Sequence, residues 1–301
     1  MNALLRGLRK QKSSAALLGA LLLLPVGVWL LMPGEGGPEI DHVTMCPIGP
    51  LDAHRIVLID ATDQLGPTQR DILIDALQHE AEDTTTYEKF TLAAVDDLHP
   101  FEPHILFSRC APKRKSQGPS ENPYMLKAIW DKDFYNPMLK SLDPALKGAD
   151  QKETPLIESI FGLARRPDFG VAVPHRRLVI VSDMLQNTKA LYSQYSDRLT
   201  FEAFAEKPQA FQSVPDLTGV TVVNRFLDRR VKRCIQGFAQ RRFWEAYFSH
   251  AGTSIAFDNW PWRRPDRTLE DRCTGSDVQT AKVRKHKKHR HRLPPRPTAV
   301  E

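Results

Sequence analysis

Continuous blocks of apolar residues alternate along the chain with blocks in which apolar positions recur at helical spacing. The continuous blocks predict β-strands at 54–59, 89–95, 104–108, 177–182, 220–226 and 254–257. The helically spaced blocks predict helices at 67–81, 155–164, 201–211 and 236–250, and short helices within 124–147, where Pro137 and Pro144 interrupt the pattern. Such alternation predicts an α/β fold with a doubly wound, mostly parallel sheet that helices cover on both faces.

A hairpin, a helix start and a loop refine this arrangement. The strands at 89–95 and 104–108 are close enough to pair as a hairpin through the Pro-bearing turn at 98–103. Thr154 precedes Pro155 and the amphipathic run LIESIFGLA, so we expect Thr154 to be the N-cap and Pro155 the first helical residue. The stretch 111–123 is basic and then rich in Gly, Ser and Pro, which predicts a loop.

Residues 15–32 form an uncharged, apolar stretch about as long as a transmembrane helix. Basic residues precede this stretch and acidic residues follow it. The asymmetry predicts a single-pass membrane protein with a cytoplasmic N-terminus and the bulk of the chain in the periplasm or outside the cell. A cleaved signal peptide shares these features, but the segment PGEGGPE after Met32 lacks a small-x-small cleavage signature, so we favour a retained anchor.

The charge of the chain is concentrated at its C-terminal end. The formal net charge is +6, yet a run reading KVRKHKKHRHR at 282–292 supplies much of it, so the folded middle is closer to neutral. This distribution argues against a nucleic-acid interface over the whole domain. The run can bind a polyanion, such as acidic lipid, a cell-wall polymer or nucleic acid, by charge alone; the alternative is a solvated, disordered tail. Its cationic residues are Lys282, Arg284, Lys285, Lys287, Lys288, Arg290 and Arg292.

These patterns divide the chain into successive regions. The order is a basic cytoplasmic N-terminus (1–14), a transmembrane anchor (15–32), a linker (33–50), one α/β domain (51–262) and a basic, disordered tail (263–301).

The cysteines fit an oxidising compartment. Their number is even, they are widely spaced, and none forms a C-x-x-C pair, so two disulfides are expected and a zinc site is not. The spacing alone leaves three connectivities open, and four unpaired thiols are the alternative. The residues are Cys46, Cys110, Cys234 and Cys273.

Two of the predicted strands end in an aspartate, Asp60 and Asp183. Ligands of open parallel sheets bind beyond the carboxyl ends of the strands, so neighbouring strands would bring these carboxylates together. Close carboxylates repel each other unless they share a cation or a proton. Thr62 and Thr154 add hydroxyl oxygens, and an all-oxygen ligand set suits Mg²⁺, or less well Ca²⁺ or Mn²⁺.

With these residues the sequence resembles the von Willebrand factor A-like (vWA) domain and its metal-ion-dependent adhesion site. The family's pattern is Asp-x-Ser-x-Ser after the first strand, a Thr in a later loop and an Asp after the fourth strand. Asp60 and Thr62, then Thr154, then Asp183 match it in that order. Gln64 departs from the pattern, since the family usually has the second serine there; Asp63 and Gln64 are further candidates for contact with the metal or a partner.

The resemblance implies a membrane-anchored protein that recognises another envelope protein through a divalent cation. An acidic side chain of the partner would complete the cation's shell, and loops at 111–123 and 186–196 would supply specificity. The family's third strand is antiparallel at the sheet edge, which implies that Cys46 pairs with Cys110 and leaves Cys234 for Cys273. The alternative is a metal-free scaffold of an envelope, secretion or conjugation assembly, positioned by its anchor and its basic tail.

An enzyme is not expected. The sequence contains no Gly-rich phosphate loop, no G-x-S-x-G and no H-E-x-x-H. Nucleotide hydrolysis, serine hydrolysis and zinc proteolysis therefore lack support, and no small-molecule substrate is expected.

Overall fold

The sheet has six strands in the order β3-β2-β1-β4-β5-β6, as a computed structural model of residues 38–118, 121–146, 151–228 and 235–258 shows. Neighbouring strands are parallel except for β2 and β3, which form the predicted antiparallel hairpin. All six predicted strands are present. They are β1 (Ala53–Ile59), β2 (Lys89–Ala94), β3 (His104–Cys110), β4 (His175–Ser182), β5 (Val220–Phe226) and β6 (Ile255–Asp258).

Helices pack on both faces of this sheet, as the sequence predicts. In β1, Ile56 and Leu58 belong to one hydrophobic core, whereas Val57 and Ile59 belong to the core on the other face. Two-sided burial explains why these strands are continuously apolar rather than alternating. The helices are α1 (Pro67–Glu82), α2 (Pro123–Trp130), α3 (Asn136–Lys140), α4 (Asp143–Leu146), α5 (Leu156–Ala164), α6 (Phe201–Ala205) and α7 (Phe238–His250).

The two cores use different helices. Side chains of α5, α6 and α7 pack on the face that carries Ile56, and side chains of α1, α2 and α3 pack on the face that carries Val57. We call the end of the sheet where β1 begins the lower end and the opposite end, where β1 stops, the upper end. Because β3 is antiparallel, its last residue, Cys110, lies beside Lys89 at the lower end.

Three helix predictions need correction. Thr154 is not an N-cap, because α5 begins at Leu156 and Pro155 occupies the cap position. The predicted helix at 201–211 ends at Ala205, and a separate 3₁₀ turn spans Phe211–Ser213. Between 123 and 140 the chain remains helical through a π segment, Asp131–Tyr135. Pro137, which lacks an N–H, sits in the first turn of α3. The π segment just before it accommodates the proline, so the helical path is not broken.

A disulfide fastens the segment before β1 to the end of β3. Cys46 and Cys110 are bonded, as the resemblance implies. Next to the bond, the Cys110 N–H donates to the Thr44 carbonyl at 2.8 Å, and Ile40 forms an isolated β-bridge with Pro47. The second half of the predicted linker is therefore part of the folded lower end. Cys234 and Cys273 lie outside the described residues.

The predicted anchor at 15–32 and the predicted tail at 263–301 also lie outside the described residues. Within the ranges that the structure does describe, no helix combines the length and the apolar character that a membrane span requires.

Candidate functional site

The predicted metal ligands come from three elements that meet at the upper end of the sheet. Asp60 follows β1 and Asp183 follows β4, and these strands are neighbours with Ile59 opposite Val181. Asp60, Thr62 and Asp183 are all buried. The structure thus places both carboxylates at the upper end of the sheet, as the sequence predicts, rather than at opposite ends.

Asp60 is held by neutral donors on both carboxylate oxygens. Its Oδ1 accepts from the Thr62 hydroxyl at 2.7 Å and from the Thr62 N–H at 3.2 Å. Its Oδ2 accepts from the Ser182 hydroxyl at 2.8 Å. A hydrogen bond from the Asp60 N–H to the Val181 carbonyl extends the β1–β4 ladder to the site. Rigid strand ends therefore fix the orientation of this carboxylate.

Thr154 joins the site through its hydroxyl. The Thr62 and Thr154 Oγ1 atoms are 2.9 Å apart. A hydroxyl has one proton, and that of Thr62 goes to Asp60, so Thr154 is the donor in this pair. The chain of hydrogen bonds then runs from Thr154 to Thr62 to Asp60 and gathers three oxygen-bearing side chains that are far apart in sequence. Because Thr154 precedes the N-cap, its side chain can turn toward Thr62 instead of capping α5.

Asp183 is positioned mainly through the backbone around it. Its Oδ1 accepts the Leu185 N–H at 3.0 Å, and Met184 adopts a φ of 59°. The Gln240 amide of α7 donates to the carbonyls of Asp183 and Met184, at 3.0 and 2.7 Å, and the Trp244 indole also donates to Met184, at 2.8 Å. A left-handed residue is costly without glycine, and these buried bonds stabilise it.

A buried polar network supports the loop that faces Thr154. The Glu158 carboxylate accepts from the Gln186 amide at 2.9 Å and from the Thr188 hydroxyl at 2.8 Å. Burial raises the pKa of Glu158, although these hydrogen bonds oppose the increase. Asn187, between the two donors, pairs with Thr154 through two backbone hydrogen bonds of 2.8 and 3.0 Å. Glu158 thereby fixes the strand-like segment against which Thr154 rests.

The loop after β2 lies beside the same segment. The Asp97 N–H donates to the Gln151 side chain at 3.0 Å, and the Lys152 N–H donates to the Asp97 carboxylate at 2.9 Å. The Gln151 N–H in turn donates to the Thr62 carbonyl at 2.9 Å. These contacts connect the turn at 95–103 to the site.

The expectation that residues 111–123 flank the site is wrong. They follow Cys110, which lies at the lower end of the sheet because β3 is antiparallel. The other proposed specificity loop, 186–196, does lie beside the site through Asn187. Of the two further candidates, Asp63 is half-buried and Gln64 is exposed.

Sequence reasoning missed Ser182 and Glu158. Ser182 could have been found, because it precedes Asp183 in the run VIVSD and a parallel β1–β4 pair would place it opposite Asp60. Glu158 gave no usable signal, since a single acid in the amphipathic helix LIESIFGLA is normally expected on its exposed face.

The chemistry of the donors fits Mg²⁺. Asp60 and Asp183 supply carboxylates, and Thr62, Thr154 and Ser182 supply hydroxyls, so all candidate ligands are hard oxygen atoms. Among the described residues no group of three or more His, Cys, Asp or Glu side chains is placed to hold a metal. A cation here would therefore depend on hydroxyl oxygens as well as on carboxylates.

Comparison with known proteins gives no family for the chain: no protein-family model and no curated protein matches it.

Proposed function

We propose that this protein is a membrane-anchored, extracytoplasmic vWA-like protein that binds another envelope protein through a divalent cation at the upper end of the sheet. The observation that carries the proposal is the hydrogen-bonded set of Thr154, Thr62, Asp60 and Ser182. Three separate chain segments, from β1, β4 and the start of α5, contribute to it.

The local charge supports a cation at this position. Within the part of the chain that the structure describes, the hydrogen-bond partners of Asp60 are hydroxyls and an N–H. Neutral donors solvate a buried carboxylate without cancelling its charge. Asp60, Thr62, Thr154 and Asp183 would hold Mg²⁺, which supplies a directional contact for an acidic side chain of the partner.

The surface around the site suits protein recognition. The loop after β2 exposes Leu98 to 79% and Phe101 to 49%. These apolar side chains belong to the turn at 95–103, which is connected to the site by the hydrogen bonds of Asp97 with Gln151 and Lys152. We assign to this turn, together with residues 186–196, the contacts that select the partner.

A metal-free scaffold is the second candidate function. Both oxygens of Asp60 already have protein donors, and Gln64 is exposed where the resembled family has a metal-ligating serine. On this alternative the same hydrogen bonds only stabilise the strand ends, while the predicted anchor and the basic tail position the molecule.

Calorimetric titration of the full chain in detergent micelles with Mg²⁺ separates the two candidates. We expect a heat of binding that Asp60→Asn abolishes, because this variant keeps the shape of the side chain but removes its charge. Asp75→Asn is the matched control, since Asp75 is exposed on α1 and its loss should leave the heat intact. No heat with the wild-type chain would favour the scaffold.

A pull-down from detergent-solubilised membranes then tests recognition itself. We expect a set of captured proteins that is lost with chelator, restored by Mg²⁺ and absent for Asp60→Asn. An identical set with and without chelator would reject cation-dependent binding.

A further inference from the structure

Exposed apolar side chains are concentrated at the lower end of the domain, opposite the candidate metal site. Of the eleven large hydrophobic residues that are exposed within the described ranges, six belong to segments at this end. They are Val43, Ile48, Tyr124, Met125, Ile129 and Val171. Contiguous exposed apolar patches on soluble domains mark interaction sites for proteins or membranes.

Helix α2 provides the largest part of this surface. Tyr124, Met125 and Ile129 are 84%, 62% and 42% exposed, and Ala128 is exposed as well. Positions 124 and 128, 125 and 128, and 125 and 129 are three or four residues apart and therefore neighbour each other on the helix surface. Trp130 is the only residue of this helix that is fully buried. The exposed side of α2 is thus largely apolar, apart from Lys127, which pairs with Asp131.

Cationic residues lie next to this face. Residues 104–118 contain Arg109, Lys113, Arg114 and Lys115 and no carboxylate. Arg114 lies over the Trp130 ring, 5.0 Å from its centroid, and so joins the basic loop to α2. Lys113 and Arg114 pair with Glu121 and Glu82, whereas Lys115 is exposed beyond them. Aromatic and apolar side chains flanked by cations suit the interface of an anionic bilayer.

The length of chain between the predicted anchor and Ile40 is short. Ile40 is bridged to Pro47 beside the Cys46–Cys110 bond, so residue 40 belongs to the lower end. Seven residues lie between Met32, the end of the apolar stretch, and Ile40, which makes eight Cα–Cα steps. At about 3.5 Å per residue they span at most roughly 28 Å. In a chain whose residues 15–32 span the bilayer, Ile40 is therefore within about this distance of the bilayer surface.

We propose that the lower end is a membrane-docking surface in which the apolar face of α2, with Val43 and Ile48, enters the headgroup region of an anionic bilayer. This inference rests on the anchor in the proposed function. Docking through the lower end would orient the domain. The candidate metal site, which is at the other end of the sheet, would then face away from the lipid.

Photocrosslinking of the full chain in lipid nanodiscs tests the contact. The discs contain phosphatidylcholine, phosphatidylglycerol and a lipid with a diazirine group near its headgroup, and adducts are mapped by mass spectrometry. We expect adducts at 15–32 and at 123–130, and none at 95–103, where exposed Leu98 serves as the internal control. In Tyr124→Glu/Met125→Glu the adducts at 123–130 should be lost, while Leu98→Glu should leave them unchanged.

The outcomes separate the docking surface from the anchor. Adducts at 15–32 with none at 123–130 would overturn the docking surface and leave the anchor standing. Adducts at 123–130 with none at 15–32 would support the surface and reject the anchor. Equal labelling of 95–103 and 123–130 would show unspecific contact and also overturn the proposal. Retention of the Cys46–Cys110 bond in the double variant, read from the same peptide maps, shows that its lower end is still folded.

Discussion

Asp60 and Glu80 are both buried carboxylates, but their surroundings differ in charge. Glu80 on α1 accepts hydrogen bonds from the guanidinium groups of Arg55, Arg177 and Arg225, at 2.7 to 3.2 Å. Burial opposes its ionisation, yet the bonds from Arg177 and Arg225 outweigh this effect and lower the pKa of Glu80. Asp60 has hydroxyl and N–H partners instead.

The difference is between a carboxylate with cationic partners and one whose hydrogen-bond partners within the described residues are neutral. The protein supplies Glu80 with its own cations, which also join α1 to β1, β4 and β5. Asp60 is also held by three hydrogen bonds, but their donors are two hydroxyls and an N–H. Of these two carboxylates, Asp60 is therefore the one for which the proposed function expects a cation.

The largest predicted effect is on Glu80. We expect Glu80→Gln to lower the free energy of unfolding by about 3 to 5 kcal/mol, because three guanidinium groups lose their shared counter-charge. Urea unfolding followed by circular dichroism measures the change. The control is Glu206→Gln, since Glu206 forms an exposed pair with Arg198 and should cost less than about 1 kcal/mol. Similar small losses for both variants would mean that the other acidic partners of Arg55 and Arg225, which are Asp83, Glu88 and Asp258, suffice as counter-charges.

A second prediction concerns His54, a buried base near the lower end. Its Nδ1 lies 2.7 Å from the Asp168 carbonyl and its Nε2 lies 2.8 Å from the Thr91 hydroxyl. Burial lowers the pKa of His54 to about 4, against the opposing effect of the bond to Asp168. As the pH falls, His54 is protonated in the unfolded chain before it is protonated in the folded protein. The contribution of the neutral His54 to the free energy of unfolding is therefore fully present above pH 6.5 and is lost as the pH falls toward 4.

Urea unfolding at two pH values measures the contribution of His54. Between pH 7 and pH 5 we expect a loss of about 2 kcal/mol from this residue, and His54→Asn should remove it. Glu158 contributes to the pH dependence of stability with the opposite sign, because its raised pKa makes the folded protein more stable as the pH falls. His54→Asn leaves this contribution of Glu158 unchanged. A pH dependence that is the same in both chains would assign acid sensitivity to other groups.

The smallest predicted effect on stability is at the candidate site itself. Thr154→Val keeps the shape of the side chain and removes one hydrogen bond, so we expect a loss of about 1 kcal/mol without metal. Thermal unfolding with and without Mg²⁺ then tests whether the candidate site binds the cation, which is not expected of Glu80. The Mg²⁺-induced rise in Tm should be absent in Thr154→Val and present in Thr154→Ser, which restores the hydroxyl. A rise that persists in Thr154→Val would remove Thr154 from the ligand set.

Most of the sheet could be predicted from the sequence because the strands are buried on both faces. Runs such as RLVIVS leave no polar face and therefore specify a central parallel strand directly. Helix limits were harder to predict, since they depend on tertiary contacts. The π segment before Pro137 and the shift of the helix start from Pro155 to Leu156 are local adjustments that no spacing rule contains.

The site could be predicted where its residues follow strands, and not where they depend on loops. Asp60 and Asp183 were found because strand ends converge in a parallel sheet. Glu158 was missed because its burial is produced by the loop that carries Gln186 and Thr188, which sequence periodicity does not describe. The position of residues 111–123 was misjudged for a related reason: the direction of β3 decides at which end of the sheet that loop lies.

The disulfide between Cys46 and Cys110 also sets the path by which mechanical tension enters the domain. A pulling force applied on the N-terminal side reaches Cys46 before it reaches β1. At Cys46 the force has two covalent paths, one along the backbone to β1 and one through the disulfide to Cys110, the last residue of β3. The load is then divided between a central strand and the outermost one. If the bond is reduced, the whole force passes into β1, the strand whose far end carries Asp60. Whether these two sulfur atoms are bonded thus determines how directly a pulling force on the N-terminal side reaches the opposite end of the sheet.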